Sequence, residues 1–127
     1  MAKILLIEDE PLTIRIYSTY LKIDGHQVKN ASNGEEGLAK ATDFQPDLIV
    51  LDLMMPKIDG FSFLKEIKTN PKTKNIPVLV HSNLSSSEDI QKVKDLGAAD
   101  FIVKAEQSPT QVVSKIKKFL PKKTKKE

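Results

Sequence analysis

The chain has 127 residues and a net charge of +3, with 39% hydrophobic and 29% charged residues. This composition is typical of one soluble globular domain and excludes disordered and fibrous classes. Cysteine is absent and there are only two histidines, which excludes disulfides, thiol catalysis and cysteine- or histidine-rich metal sites.

The first half of the chain begins with an apolar run, Ile4–Ile7, that predicts a buried strand. A helix is predicted next. It begins at Pro11, has apolar residues at positions 12, 16, 20 and 23, and ends at Gly25. The more polar segment Gln27–Ala31 suits an edge strand, and the capping-box spacing of Ser32–Glu35 predicts the start of a second helix.

Three further apolar runs predict strands in the rest of the chain: Leu48–Leu51, Val78–Val80 and Phe101–Val103. They do not alternate with polar residues, which is typical of parallel strands covered on both faces. Capping-box spacings follow the last two strands, at Ser85–Glu88 and Ser108–Gln111. The second of these precedes a stripe of apolar residues with helical spacing, at positions 112, 113, 116, 119 and 120.

The C-terminus holds most of the positive charge. Residues 115–127 carry seven lysines and one glutamate, a net charge of +6, which leaves −3 for residues 1–114. We expect a domain over residues 1–120 and a flexible basic tail over 121–127. No aromatic residue follows Pro121 to stack on a base, so nucleic acid binding is not favoured. Without an apolar run long enough to span a membrane, or a signal peptide, we expect a cytoplasmic protein without membrane insertion.

The strand–helix order, repeated five times, predicts an α/β fold with a doubly wound, five-stranded parallel sheet and five helices. In such sheets ligands bind beyond the carboxyl ends of the strands. Three carboxylates, a hydroxyl and an ammonium follow the predicted strands there: Glu8, Asp9, Asp52, Ser82 and Lys104. Clustered carboxylates repel one another unless a cation lies among them, and ligands that are all oxygen indicate magnesium.

These residues resemble the receiver domain of bacterial response regulators, most closely the single-domain chemotaxis type. The resemblance covers residues 3–120. It depends on five features in order: Glu8-Asp9, Asp52-Leu53-Met54-Met55-Pro56, Asp59-Gly60, Ser82 and Lys104. It implies a flavodoxin-like fold with strand order 2-1-3-4-5. It also implies a signalling phosphoacceptor that assists its own phosphotransfer and dephosphorylation, rather than an enzyme.

The resemblance assigns the phosphoacceptor and the metal ligands. Asp52 would receive a phosphoryl group from a sensor histidine kinase or a histidine phosphotransfer protein, since a carboxylate is a competent nucleophile for this transfer. Asp9, Asp52 and the backbone carbonyl of Met54 would bind Mg²⁺ directly. Glu8 would act mainly through metal-bound water.

The resemblance also assigns the groups that respond to the phosphoryl group. Lys104 would pair with one phosphoryl oxygen, and Ser82 would donate its hydroxyl to another. Phe101 matches the aromatic switch position and would fill the space that Ser82 leaves. The face formed by the fourth helix, fifth strand and fifth helix, roughly residues 86–120, would then bind an unidentified downstream protein. We expect a monomer or a phosphorylation-dependent dimer.

Four positions depart from the usual family pattern. Glu8 replaces the commoner aspartate, and Phe101 lacks the hydroxyl of tyrosine. Asn83 replaces a small alanine, and its side chain would either crowd the phosphoryl pocket or form a hydrogen bond within it. Ala105 replaces a proline whose preceding bond is typically cis. A cis bond before alanine costs roughly 2.5–4 kcal/mol, which favours a trans Lys104–Ala105 bond and a rearranged loop.

Three other functions compete with this one. A pseudo-receiver that binds a partner without phosphorylation usually lacks one of the acidic or lysine residues present here. A haloacid-dehalogenase-like phosphatase would need a second aspartate where Met54 stands. In a flavodoxin-like electron carrier, the acidic residues Glu8, Asp9 and Glu10 would repel the flavin phosphate. We assign no role to His26 or His81.

Overall fold

The computed structural model describes residues 2–121 and contains one five-stranded parallel sheet. The strands are β1 (Lys3–Ile7), β2 (Gln27–Ala31), β3 (Leu48–Leu51), β4 (Val78–Ser82) and β5 (Asp100–Val103), in the order β2-β1-β3-β4-β5. The helices are α1 (Pro11–Ile23), α2 (Gly34–Phe44), α3 (Gly60–Thr69), α4 (Ser87–Asp95) and α5 (Pro109–Lys118), and a 3-10 turn spans Lys104–Glu106. The predicted fold class and strand order are confirmed.

The central strands are buried on both faces because apolar side chains point to each side of the sheet in alternation. One layer packs against α2, α3 and α4, and its strand residues are Leu5, Ile7, Ala31, Ile49, Leu51, Val78 and Val80. The other packs against α1 and α5 and contains Ile4, Leu6, Leu48, Val50, Leu79 and Ile102. Burying each such side chain contributes about 1.5–3 kcal/mol, so the sheet is a rigid support for the residues at its carboxyl edge.

Helix α1 buries a different face from the one that its most regular apolar spacing indicates. Tyr17 and Leu21 are buried against the sheet. By contrast, Leu12, Tyr20 and Ile23 are 61%, 42% and 76% exposed, and of the four predicted positions Ile16 packs, partly buried, against this layer. The helix itself is confirmed, with Pro11 in its first turn and Gly25 just beyond its end at a φ of +88°.

Two of the three predicted helix caps are shifted by one residue. The capping box Ser108–Gln111 is present as predicted. At α4 the box is Ser86–Asp89 instead of Ser85–Glu88, and at α2 the cap is Asn33 instead of Ser32. Both registers of the α4 box satisfy the sequence spacing, so the choice between them depends on where the preceding loop joins the helix.

Strand β4 is two residues longer than predicted. His81 and Ser82 continue its ladder, opposite Ile102 and Val103 of β5, and both are buried. Their polar side chains ended the apolar run in the sequence without ending the strand.

No helix within residues 2–121 has the length and apolar character needed to cross a bilayer. Of the predicted basic tail, residues 122–127 lie outside the described residues. The domain boundary at residue 120 stays a prediction.

Candidate functional site

Three carboxylates meet at the carboxyl edge of the sheet. Glu8 and Asp9 follow β1, Asp52 follows β3, and the two strands are paired neighbours up to Ile7 and Leu51. One oxygen from each carboxylate lies within 4.8 Å of the others. Glu8 and Asp52 are buried, whereas Asp9 is exposed. The structure therefore brings together the acidic residues that the sequence singled out.

Lys104 places its ammonium between the two buried carboxylates. Its Nζ lies 2.8 Å from Glu8 Oε1 and 2.9 Å from Asp52 Oδ2. Burial acts to lower the pKa of Lys104, but the hydrogen bonds to Glu8 and Asp52 outweigh it and raise this pKa above its ordinary value. Burial raises the pKa of Glu8, and the hydrogen bond from Lys104 opposes this effect. Lys104 thus stays a cation within the cluster.

The second carboxylate oxygen of Glu8 and that of Asp52 each accept a backbone hydrogen bond. Asp52 Oδ1 accepts from the Met54 N–H at 3.1 Å, and Glu8 Oε2 accepts from the Glu10 N–H at 3.1 Å. Both oxygens of Glu8 therefore have partners within the protein. The N–H of Gly60 donates to the Leu53 carbonyl at 3.1 Å, which connects the two ends of the loop after Asp52.

Ser82 lies at the end of β4 on the same edge of the sheet, and its side chain is fully buried. Its Oγ accepts the N–H of Leu84 at 3.2 Å. Because the hydroxyl oxygen is the acceptor in this contact, the hydroxyl hydrogen remains available for donation.

A family model described as the response regulator receiver domain matches residues 4–117. The chain belongs to this family. The solved structure of chemotaxis protein CheY4 from Vibrio cholerae is similar to it, with a TM-score of 0.87 and 32% identity over 94% of this chain and 99% of that one. The phosphorylated cyanobacterial phytochrome response regulator RcpA is also similar, with a TM-score of 0.82 and 34% identity over 94% and 93% of the two chains.

Curated relatives extend beyond the receiver domain. The DNA-binding dual master transcriptional regulator RpaA of Synechocystis is 39% identical over 82% of this chain and 43% of its own length. The probable transcriptional regulator ycf27 of Porphyridium aerugineum is 40% identical over 93% of this chain and 48% of its own length. This receiver domain therefore spans less than half the length of either relative.

The departures from the family pattern have defined structural consequences in this receiver domain. No cis peptide bond occurs between residues 2 and 121, so the Lys104–Ala105 bond is trans, as its energy cost favoured. Asn83 is exposed, and its Oδ1 accepts the N–H of Ala105 at 2.8 Å. Phe101 is half-buried against the apolar layer beneath α2, α3 and α4. The switch role of Phe101 stays a prediction.

His81 is a buried residue of the receiver domain to which the sequence assigned no role. Its ring meets the Tyr17 ring edge to face, with centroids 5.2 Å apart and planes at 81°. Burial, together with the positive charge of Lys104, lowers the pKa of His81 to about 4. In the sequence, His81 is a single polar residue between the apolar run Val78–Val80 and Ser82. This pattern does not distinguish a buried histidine from an exposed one.

The donor set of the acidic site suits a hard cation. It consists of carboxylate oxygens from Glu8, Asp9 and Asp52 and includes no sulfur or nitrogen ligand. The exposed carboxylate of Asp9 leaves one side of the cluster open to solvent. Magnesium prefers a few carboxylates and retains several waters, so these residues fit it.

Proposed function

We propose that this receiver domain is a phosphoryl-accepting signalling switch in which Asp52 takes the phosphoryl group. The observation that carries the proposal is the position of Asp52, buried at the carboxyl edge of the sheet with Lys104 Nζ 2.9 Å from its Oδ2. A histidine kinase or a histidine phosphotransfer protein would be the donor, and the chain would act in the cytoplasm. In this role the chain is a signalling phosphoacceptor and not an enzyme acting on an external substrate.

The transfer needs a nucleophile, in-line placement and neutralised oxygen charge. A carboxylate oxygen of Asp52 attacks the phosphorus, and its new O–P bond forms as the P–N bond of the phosphohistidine breaks. The bonding electron pair goes to the imidazole nitrogen, which takes a proton from solvent. Lys104, already in contact with Asp52, pairs with a phosphoryl oxygen. Ser82 donates its free hydroxyl hydrogen to another.

The metal ligands in this proposal are Asp9, Asp52 and the backbone carbonyl of Met54. Bound Mg²⁺ supplies positive charge that offsets the charge of the phosphoryl oxygens. Glu8 would act mainly through metal-bound water, which is the role that the family resemblance implies for it. Glu8 also orients Lys104 through their 2.8 Å contact.

Phosphorylation would be transmitted through Ser82 and Phe101. A contact between Ser82 and the phosphoryl group would vacate space behind the Ser82 side chain, and Phe101 would move into it from its half-buried position. This is a two-state packing change biased by a local charge. It would alter the face of α4, β5 and α5, roughly residues 86–120, and so control binding of a downstream protein or dimer formation.

The test is intact-protein mass spectrometry after incubation with acetyl phosphate, with Mg²⁺ or with a chelator. We expect Mg²⁺-dependent gain of one phosphoryl group, lost in Asp52→Asn and retained in Asp43→Asn. Asp43 is exposed and lies near Lys3 and Gln27, where β1 and β2 begin, at the edge of the sheet opposite the site. The adduct should be cleaved by hydroxylamine, as acyl phosphates are and serine phosphates are not. Absence of the adduct under every condition would favour the non-phosphorylated pseudo-receiver, a protein-interaction module.

A further inference from the structure

A side-chain hydrogen bond joins the two loops that carry Ser82 and Lys104. Asn83 Oδ1 accepts the N–H of Ala105 at 2.8 Å, across 22 residues of sequence. Asn83 directly follows Ser82, and Ala105 directly follows Lys104. The backbone ladder between β4 and β5 ends at the pair Ser82 and Val103, so this contact continues the connection beyond the last paired residues.

This hydrogen bond gives an acceptor to the backbone N–H of Ala105, the residue after Lys104. Ala105 lies in the first turn of the 3-10 segment Lys104–Glu106, where backbone N–H groups lack partners within the helix. The preceding residue, Val103, forms no side-chain capping hydrogen bond to this turn. A proline at position 105 would have no N–H to satisfy. With alanine there, the N–H is present and the Asn83 side chain supplies its acceptor.

We propose that Asn83 is a positioning residue that fixes Lys104 relative to Ser82 through this hydrogen bond. The proposal rests on the function proposed above, in which both side chains contact the phosphoryl group. The ammonium of Lys104 must reach Asp52, and its backbone is anchored on one side by β5 and on the other by the Asn83–Ala105 contact. Without the Asn83 side chain, the 3-10 turn keeps its connection to β5 but loses this hydrogen bond to the loop after β4.

The alternative is that Asn83 acts through its bulk, by limiting access to Asp52. The two roles predict opposite effects of Asn83→Ala. Loss of an access barrier would speed phosphorylation, whereas loss of positioning would slow it. Because one exposed neutral hydrogen bond is involved, we expect the rate of phosphorylation by acetyl phosphate to fall roughly three- to tenfold.

The experiment compares wild type with Asn83→Ala, Ala105→Pro and the double variant. Asn70→Ala is the matched control, since exposed Asn70 also accepts a backbone N–H, from Lys72 at 2.9 Å. We expect the control to react at the wild-type rate. Because proline removes the donor, Asn83→Ala should add no further slowing in the Ala105→Pro background. Equal or faster phosphorylation of Asn83→Ala, or full additivity in the double variant, would overturn the proposal.

Amide hydrogen exchange of Ala105, followed by NMR, provides a second readout that needs neither phosphorylation nor a folded proline variant. We expect the Ala105 N–H to be protected in wild type and in Asn70→Ala, and to exchange faster in Asn83→Ala. An unprotected Ala105 N–H in wild type would overturn the proposal. If the protein takes up no phosphoryl group while this protection depends on Asn83, the phosphoacceptor function fails and the loop connection stands.

Discussion

Buried Glu8 and half-buried Lys104 form an ion pair that connects the end of β1 to the turn after β5. Their side chains are 2% and 16% exposed, and Glu8 Oε1 lies 2.8 Å from Lys104 Nζ. Burying one carboxylate without a cation would be costly, and here Asp52 shares the same ammonium. With Asp9 alongside, three carboxylates have one ammonium among them, so the cluster carries an excess of negative charge.

This excess charge predicts opposite effects of Asp9→Asn with and without magnesium. In a chelating buffer the variant should be more stable than wild type, because one repelling carboxylate is neutralised. With Mg²⁺ in large excess over its dissociation constant, wild type should gain about 1–3 kcal/mol of stability and the variant far less. Thermal unfolding measured in both buffers checks this, with Asp43→Asn as control. A full magnesium response in Asp9→Asn would show that Asp9 is not a ligand.

The lowered pKa of His81 predicts a contribution to folding stability that is lost at acid pH. Its pKa in the folded protein is about 4, below the ordinary value of 6.5. Between these values the unfolded chain binds a proton that the folded chain excludes, so stability rises with pH. The contribution is complete above the ordinary pKa and is lost as the pH falls towards 4. The full contribution to the free energy of unfolding is about 3 kcal/mol, because each unit of difference between the two pKa values is worth about 1.4 kcal/mol.

The test of this contribution is urea unfolding of wild type and His81→Phe from about pH 7.5 to about pH 4.5. Phenylalanine keeps an aromatic ring against Tyr17 but cannot be protonated. We expect wild type to lose about 2–3 kcal/mol more than the variant across this range. Parallel pH dependences for the two proteins would show that His81 is protonated as readily in the folded chain as in the unfolded one.

Gly60 is required by close packing against Leu53 and Asp52. A Cβ at this position would lie 2.4 Å from Leu53 Cα and 3.1 Å from the carbonyl oxygen of Asp52. Gly60→Ala should therefore destabilise the protein by about 1–3 kcal/mol and, by displacing Asp52, slow its phosphorylation.

Gly25 offers a matched control for that substitution. Its φ of +88° disfavours alanine, but no atom lies within 4 Å of the added Cβ. Gly25→Ala should cost about 1 kcal/mol and leave the phosphorylation rate unchanged. Denaturant unfolding and phosphorylation assays on both variants check this difference. An equal loss of rate in Gly25→Ala would mean that stability alone accounts for the effect at Gly60.

The sequence predicted the strands well. A strand that is buried on both faces needs apolar side chains at successive positions, so it is visible in the sequence as an apolar run such as Leu48–Leu51. The sequence predicted helix α1 but not its buried face. Tyr17 and Leu21 have helical spacing, as do Leu12 and Tyr20, so periodicity alone fits either face. Packing against β2 and α5 selects the first pair, and that information lies in distant parts of the chain.

The candidate site was predicted as a set of residues but not as a set of contacts. Strand ends placed Glu8, Asp52 and Lys104 on one edge, and the structure brings them together. The contacts themselves depend on how far side chains reach across three loops. This holds for Lys104, which contacts both carboxylates, and for Asn83, which binds Ala105. His81 shows the same limit, because its contact with Tyr17 depends on how α1 packs against the sheet.

The cap of α4 allows the corrected register to be tested directly. The Ser86 side chain accepts the Asp89 N–H, and the Asp89 side chain accepts the Ser86 N–H, so Ser86→Ala removes one half of a reciprocal pair. We expect a loss of about 1 kcal/mol for Ser86→Ala, measured by denaturant unfolding. Ser85→Ala, one residue earlier in the same serine run, should leave stability within about 0.5 kcal/mol of wild type. The reverse ranking would place the box at Ser85 and Glu88, the register that the sequence spacing first suggested.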